Sequence, residues 1–111
     1  MYKEVSDAAH IFRESENGRV FVLKHSAFCP LSHRAKAVVD TMMEKNEDLD
    51  VYLIVVQNQR KISNDLAAEL QVRHESPQFL IINNKSAEMV LNHGDITGVA
   101  LETVLQTENS R

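Results

Sequence analysis

The only cysteine of this 111-residue chain, Cys29, lies where an apolar, strand-like segment gives way to a helical pattern. Pro30 follows it directly, and proline suits the first position of a helix because its missing N–H is not needed there. A thiol just before a helix faces unpaired backbone N–H groups, which stabilise the thiolate. The second cysteine of a Cys-x-x-Cys pair would stand where the chain has Ser32. The pattern therefore predicts a thiol nucleophile that cannot close an internal disulfide.

Four neighbours can contribute to the same chemistry, and each also has an ordinary structural role. Ser32 either donates a hydrogen bond to the thiolate or bonds to backbone or water. His33 and Arg34 fall in the first turns of the helix, where they either attract an anionic substrate or form a solvated face. His25 closes the preceding strand and either tunes the thiol or is a polar strand end. Cys29 itself has a structural alternative, since free cysteines are often buried.

Charge is unevenly distributed around this cysteine. The net charge is −4, which argues against general nucleic-acid binding. No Asp or Glu occurs from Asn17 through Val39, although this segment holds four of the 12 Lys and Arg residues. Either the segment lacks acids by chance, or it forms an anion-attracting site around Cys29.

The hydrophobic pattern predicts the order helix, strand, helix, strand, helix, strand, strand, helix. Continuous apolar runs at residues 20–23, 51–56 and 79–82 indicate buried strands, and alternation over residues 87–91 indicates an edge strand. A tight turn is predicted at Asn83-Asn84. Helices are predicted at Val5–Arg13 with Ser6 as N-cap, at Pro30–Lys45, from Ile62 to Gln71, and after an Asp95 or Thr97 cap, with fraying from Thr107. We expect one α/β domain over residues 1–111, with an N-terminal helix and helices on both faces of a four-stranded sheet whose first two strands are parallel.

Several other functions are disfavoured by the sequence. No Asp, Glu, His or Cys cluster has metal-ligand spacing, and the three glycines form no phosphate-binding loop. The phosphatase pattern requires an arginine six positions after the cysteine, where Ala35 stands. No apolar stretch is long enough to span a bilayer, no charged-then-apolar leader opens the chain, and a single cysteine fits a reducing compartment. We expect a cytoplasmic protein with no metal, no nucleic-acid partner and no membrane partner.

A second short motif, Ser76-Pro77, stands directly before the third predicted strand. Together with the Cys-Pro-Leu-Ser run at residues 29–32 it resembles the thioredoxin superfamily. The resemblance is closer to the monothiol bacilliredoxin family and covers nearly the whole chain. It is carried by Lys24-His25-Ser26, by Cys29-Pro30-Leu31-Ser32, by the run from Val72 to Gln78, and by His93-Gly94-Asp95-Ile96-Thr97.

The resemblance implies a thioredoxin-like fold with a mixed sheet, in which the third predicted strand runs antiparallel to the first. It also implies that Pro77 is cis and lies close to Cys29. The backbone of Ser76 would then pair with an extended substrate. His74 and Glu75 would lie near the sulfur, or would be solvated loop residues.

The activity implied by the resemblance is the removal of bacillithiol from S-bacillithiolated protein cysteines. Cys29 would take up the bacillithiol, and a second bacillithiol would release it as a disulfide that a flavoprotein reductase recycles. Bacillithiol is thus a co-substrate, no bound cofactor is expected, and the protein is expected to act as a monomer on client proteins. Arg34 or His33 would contact the carboxylates of the malate group of bacillithiol.

Two residues beside the cysteine depart from the family pattern. Phe28 stands where the family usually has threonine, and Leu31 stands where it usually has isoleucine. Leu31 is a mild change, whereas Phe28 removes a hydroxyl group and adds bulk, which bears on substrate fit.

Three other functions remain open from the sequence. The first is a glutaredoxin-like reductase for another low-molecular-weight thiol. The second is a noncatalytic thioredoxin-like adaptor, which would have an ordinary, slowly reacting thiol. The third is an iron–sulfur carrier, which is disfavoured because Pro30 replaces the glycine usual after the cysteine.

Overall fold

A mixed five-stranded sheet, in the order β1-β3-β2-β4-β5, organises this computed structural model, which describes residues 1–109. Strand β2 pairs in parallel with β3 and antiparallel with β4, so the predicted strand directions are confirmed. The strands are β1 (Tyr2–Lys3), β2 (Val20–His25), β3 (Val51–Val55), β4 (Gln78–Asn83) and β5 (Ser86–Asn92). The helices are α1 (Ala8–Ser15), α2 (Pro30–Lys45), α3 (Arg60–Leu70) and α4 (Gly98–Asn109), with a 3-10 turn at His93–Asp95.

The first element is strand β1, so the expectations of a four-stranded sheet and of a helix as the first element are wrong. Strand β1 has only two residues, which is too short for a detectable hydrophobic periodicity. It forms because its backbone pairs with β3. The hydroxyl of Tyr2 also donates to Asp40 Oδ1 at 2.6 Å, which ties β1 to α2. Helix α1 is therefore the second element, and its N-cap is Asp7, whose carboxylate accepts the His10 N–H at 2.9 Å.

Other boundaries shift by one or a few residues. Helix α2 spans the predicted residues, and β5 is an edge strand as predicted. The β4–β5 turn has its positive φ angles at Asn84 and Lys85, one residue later than predicted. Thr97 is the residue that caps α4, since its hydroxyl accepts the Ala100 N–H at 3.2 Å. Helix α4 continues to Asn109, past the predicted start of fraying at Thr107, and positions 110 and 111 lie outside the described residues.

Side chains from the two faces of the sheet form two separate apolar layers. Alternate residues of β2 take part in each: Val20 and Val22 pack with α1 and α3, whereas Phe21 and Leu23 pack with α2. Because successive side chains of a strand point to opposite faces, the last two residues of β2 also reach different layers. Helix α4 completes the layer that holds α2.

Candidate active site

Cys29 is the N-cap of α2, as the sequence predicts, with an extended backbone and Pro30 at the first helical position. Its carbonyl accepts the N–H groups of Ser32 at 3.0 Å and His33 at 3.2 Å, which fixes the first turn. The Ser32 amide is the main cause of the lowered pKa of the Cys29 thiol. The Leu31 amide and the Ser32 hydroxyl act in the same direction, against the opposing effect of desolvation. The partly exposed thiol thus has the environment of a thiolate nucleophile.

Ser32 is completely buried beneath the cysteine and takes part in both of the arrangements that the sequence leaves open. Its hydroxyl oxygen accepts the Ser26 N–H at 3.1 Å, and the hydroxyl also contributes to lowering the pKa of Cys29. Gln57 holds the same loop from the end of β3. Its Oε1 accepts the Ala27 N–H at 3.1 Å, and its Nε2–H donates to the Ser26 hydroxyl at 2.7 Å. The loop before Cys29 is therefore fixed from two sides.

Two histidines pack under this loop. The rings of His25 and His33 meet edge to face with centroids 5.0 Å apart, and the His33 Nε2–H donates to the Ala27 carbonyl at 2.7 Å. His25 is buried, and its Nδ1 has no hydrogen-bond partner among residues 1–109. Burial lowers the pKa of His25, with further lowering by His33 and Lys36, against opposing contributions from the Ser32 backbone and Asp40. His25 is therefore neutral at pH 7 and adds no positive charge beside Cys29.

The acid-free segment contributes less positive charge to the site than its sequence suggests. Arg19 precedes the opposite end of β2 from His25 and is ion-paired with Glu88, and Lys36 is paired with Asp40 at 3.4 Å. Lys24 is completely buried and reaches the other face of the sheet. Within the described chain, Arg34 is the one of the four cations that has neither an ion pair nor a hydrogen bond through its side chain, and it is exposed on α2 five positions after Cys29.

The loop that contains Ser76 and Pro77 reaches the sheet at the same end as Cys29. Gln78 pairs with Lys24, so the residue before β4 lies opposite the end of β2. The Ser76-Pro77 peptide bond is cis, as the family resemblance implies. Within residues 1–109, neither backbone group of Ser76 has a hydrogen-bond partner. The contact predicted between the Ser76 backbone and a substrate remains a prediction.

Contacts from the end of β5 and from the 3-10 turn hold this loop on one side. The backbone N–H of His93 donates to the Pro77 carbonyl at 2.9 Å, and its ring Nε2 lies 3.0 Å from Glu75 Oε2. The Gln78 amide nitrogen donates to the Asn92 side chain at 2.9 Å and to the Arg73 carbonyl at 3.0 Å. The loop is thus tied to the start of the 3-10 turn.

Contacts from β2 and α3 hold the loop on its other side. The Lys24 amine donates to the Ser63 carbonyl at 2.9 Å and lies 3.4 Å from His74 Nδ1. The Ser63 hydroxyl is 3.1 Å from the same nitrogen. The sequence offers one sign of this arrangement, a lysine inside a strand that is otherwise apolar, but no sign of its partners 39 and 50 positions away.

A groove of about 330 Å³ lies along the first turns of α2, the helix that Cys29 caps. Its wall includes Leu31, Arg34 and Val38 from α2 and His93 from the opposite rim. Phe28 is 85% exposed at the tip of the loop and Leu31 is 43% exposed. An apolar surface with one unpaired arginine therefore lies along the start of the helix that Cys29 caps.

The described residues contain no group of three or more His, Cys, Asp or Glu side chains placed to hold a metal ion. None of the helices in the described chain combines the length and apolar character needed to cross a membrane.

The sheet topology, the cysteine at the N-cap of α2 and the cis-proline loop at the same sheet end define a thioredoxin-fold protein. A solved structure described as a candidate oxidoreductase with a thioredoxin fold is 32% identical to this chain, with a TM-score of 0.81 over 92% of this chain and 91% of that one. Thioredoxin f2 of Chlamydomonas reinhardtii is 12% identical, with a TM-score of 0.70 over 97% of this chain and 96% of that one. The thioredoxin of Malassezia sympodialis is 14% identical, with a TM-score of 0.74 over 96% of this chain and 90% of that one.

Residues 2–101 match the monothiol bacilliredoxin BrxC family, and the chain belongs to that family. The resemblance stated from the sequence is thus confirmed. Family membership links the chain to thiol chemistry that involves bacillithiol.

Proposed function

We propose that this protein is a monothiol thiol–disulfide oxidoreductase that removes bacillithiol from S-bacillithiolated protein cysteines. The observation that carries the proposal is the position of Cys29. It is a partly exposed thiol at a helix N-cap, with its pKa lowered by the Ser32 amide, and it has no second cysteine in the chain. Such a thiol can attack a disulfide, but it depends on an external thiol for release.

The reaction proceeds by two thiol–disulfide exchanges. The Cys29 thiolate attacks the bacillithiol sulfur of the mixed disulfide, a new S–S bond forms, and the client cysteine leaves as a thiolate that takes a proton from water. A second bacillithiol thiolate then attacks the bacillithiol sulfur bound to Cys29. Bacillithiol disulfide is released and the Cys29 thiolate is restored. A flavoprotein reductase that reduces bacillithiol disulfide would complete the cycle.

The groups around Cys29 have distinct roles in this proposal. Pro30 starts the helix without a donor of its own, so that the amides of the next two residues can face the sulfur. Ser32 adds a hydroxyl donor but cannot displace bacillithiol. Ser76 offers its backbone to the client segment, and Phe28 presents an exposed ring beside the disulfide.

Arg34 is the best candidate for the malate carboxylates of bacillithiol. It is exposed on the groove along the start of α2 and has no partner within the described chain, whereas the His33 Nε2–H already donates to the Ala27 carbonyl. An unpaired guanidinium can bind a carboxylate through two hydrogen bonds. We therefore assign the anion contact to Arg34 rather than to His33.

The decisive experiment is mass spectrometry after incubation with a bacillithiolated client. The wild type should gain one bacillithiol while the client returns to its free thiol, and Cys29→Ala should show no transfer. Absence of transfer to the wild type would overturn the proposal. Equal rates with a glutathionylated client would favour a reductase for another low-molecular-weight thiol. A Cys29 thiol pKa at or above the ordinary value of about 8.5, measured by alkylation against pH, would favour the adaptor.

Arg34→Ala tests the anion contact. Because one charge-assisted pair is lost, we expect the transfer rate to fall about 3- to 10-fold at low salt and its salt dependence to weaken. Arg13→Ala, which removes an exposed arginine from α1, is the matched control and should change neither. An Arg34→Ala variant with unchanged rate and salt dependence would remove this residue from the site.

A further inference from the structure

Lys24 is a buried cation without a carboxylate. Its side chain has no solvent exposure, and its amine is within hydrogen-bonding distance of the Ser63 carbonyl and of His74 Nδ1. No ion pair involving Lys24 occurs among residues 1–109. Burial of a charge without an opposite charge is unfavourable, so a lysine at this position requires a reason other than stability.

The contacts of Lys24 fix the protonation pattern of His74. A lysine ammonium has donors only, so a hydrogen bond between it and the imidazole requires His74 Nδ1 to be the acceptor. The Ser63 hydroxyl, 3.1 Å from the same nitrogen, can donate to it as well. In the neutral ring the proton then lies on Nε2. The imidazole of the exposed His74 thus presents its N–H away from the Lys24 and Ser63 contacts.

Desolvation and two nearby cations keep the His74 ring neutral near pH 7. Desolvation lowers its pKa most, and Lys24 on β2 and Arg60 on α3 lower it further, whereas Glu75 on the same loop acts in the opposite direction. No described residue forms a hydrogen bond with His74 Nε2. The outer N–H is therefore an open donor one residue before Glu75 and two before Ser76.

We propose that Lys24 is a positioning residue: with Ser63 it holds His74 in the Nε2–H tautomer, and that N–H binds an anionic oxygen of the bacillithiolated substrate at the cis-proline loop. The role of His74 as donor rests on the proposed function, whereas the tautomer can be tested without it. Lys24 acts through His74 and does not touch the reacting sulfur atoms.

The first test is nitrogen-15 NMR of the histidine rings, with the His74 signals assigned by their loss in His74→Gln. In the wild type at pH 7, His74 should show a protonated Nε2 and an unprotonated Nδ1. In Lys24→Met combined with Ser63→Ala, both donors to Nδ1 are gone and a mixture of tautomers should appear. Lys61→Met, an exposed lysine on α3, is the matched control and should leave the signals unchanged. A wild-type ring protonated on Nδ1, or an unaltered tautomer in the double variant, would overturn the proposal.

The second test separates an outward donor from a merely structural histidine. The amide nitrogen of glutamine can replace Nε2–H, whereas the amide oxygen of asparagine can replace only the acceptor Nδ1. We expect His74→Asn to raise KM for the bacillithiolated client about 5- to 10-fold at nearly unchanged kcat, as the loss of one hydrogen bond to a charged group predicts. His74→Gln should recover most of this loss. Equal loss in both variants, or recovery by asparagine, would overturn the donor role.

A third measurement keeps the two proposals distinguishable. Reduced bacillithiol, titrated into the labelled wild type, should shift the His74 Nε2 signal, and the shift should weaken in Lys24→Met. If the protein transfers no bacillithiol from clients but this shift is present, the proposed function fails and the assignment of His74 survives. If transfer occurs and bacillithiol leaves the signal in place, the donor role fails and the proposed function survives.

Discussion

Lys24 and His25 are adjacent basic residues at the end of β2, and they serve opposite sides of the site. Both are buried and burial lowers the pKa of both, but their side chains enter different layers of the fold. The Lys24 amine reaches Ser63 and the cis-proline loop, whereas the His25 ring packs on His33 beneath the cysteine loop. Adjacent strand positions thus connect one strand end to both halves of the candidate active site.

The difference lies in how each base is accommodated. The Lys24 amine has oxygen and nitrogen partners within hydrogen-bonding distance, whereas His25 Nδ1 has none among the described residues. Hydrogen bonds without an opposite charge still leave the ammonium costly to bury. Of the two residues, Lys24 should therefore lower the free energy of unfolding more. His25 avoids most of this cost by staying neutral. The partners of a buried base therefore determine its role. Lys24 links β2 to α3 and to the cis-proline loop, whereas His25 packs against His33.

The largest expected effect is that of Lys24→Met on stability. Removal of an uncompensated buried charge should raise the free energy of unfolding at pH 7 by about 1–3 kcal/mol, even though the His74 contact is lost. Urea denaturation followed by circular dichroism measures this change. Lys61→Met, which removes an exposed i,i+4 pair, should lower stability by no more than about 0.5 kcal/mol. A destabilised Lys24→Met would show that the amine supports the fold.

The difference in free energy of unfolding between Lys24→Met and the wild type should also depend on pH. Burial lowers the pKa of Lys24 to about 8, from an ordinary value of 10.5. Between these values the unfolded chain binds more protons than the folded protein, so the wild type gains stability as the pH rises. The advantage of Lys24→Met should therefore narrow from pH 8 to pH 10. An advantage that stays constant over this range would contradict a lowered pKa.

His25→Phe should change the free energy of unfolding less than Lys24→Met does, and its effect should depend on pH below 7 rather than above it. At pH 7 His25 is neutral, and its replacement should change the free energy of unfolding by less than about 1 kcal/mol. Because the folded-state pKa of His25 is lowered, the unfolded chain binds more protons below about pH 6.5, and the wild type loses stability on acidification. Denaturation at pH 7 and pH 5 should show that the free energy of unfolding decreases more in the wild type than in His25→Phe. An equal decrease in the two proteins would contradict this prediction.

The smallest expected effect of these substitutions is on the pKa of the Cys29 thiol. The lowered pKa of Cys29 comes from the Ser32 and Leu31 amides and the Ser32 hydroxyl, with no contribution from either base of β2. Alkylation against pH should give the same midpoint in Lys24→Met and His25→Phe as in the wild type. Ser32→Ala should raise the midpoint only slightly, because its backbone amide remains. A midpoint that moved more in Lys24→Met than in Ser32→Ala would show that the lysine acts on the sulfur directly.

The predictable part of the site is the part built from neighbouring residues. The proline at the start of α2 and the single cysteine define the N-cap, and Ser32 follows within the first turn, so their arrangement depends on helix geometry alone. The cis peptide before Pro77 and the antiparallel β4 followed only from the family resemblance. Hydrophobic periodicity located the longer strands and helices, but it could not locate β1, whose two residues are ordered by pairing with β3.

The charge environment shows where prediction from the sequence fails. The acid-free segment suggested four cations around the thiol, yet Arg19 is paired with Glu88 and Lys36 is paired with Asp40, which lies just after the segment. Lys24 is buried on the other face of the sheet. Of the four, only Arg34 is exposed without an acidic partner in the described chain. Whether a cation is free depends on residues outside the segment, which lie 4 positions away for Lys36 and 69 positions away for Arg19. The composition of the segment alone therefore does not determine the potential at the sulfur.

The sequence by itself determined the candidate nucleophile Cys29, the absence of a second cysteine in the chain and the alternation of buried and exposed positions. These features follow from residue identity and from contacts within a few positions, which backbone geometry dictates. Only the tertiary structure decided that Lys24 meets His74 across 50 positions and that the cis-proline loop is held from both sides. Such contacts depend on strand pairing and on the packing of α3 against the sheet, and no local pattern encodes them.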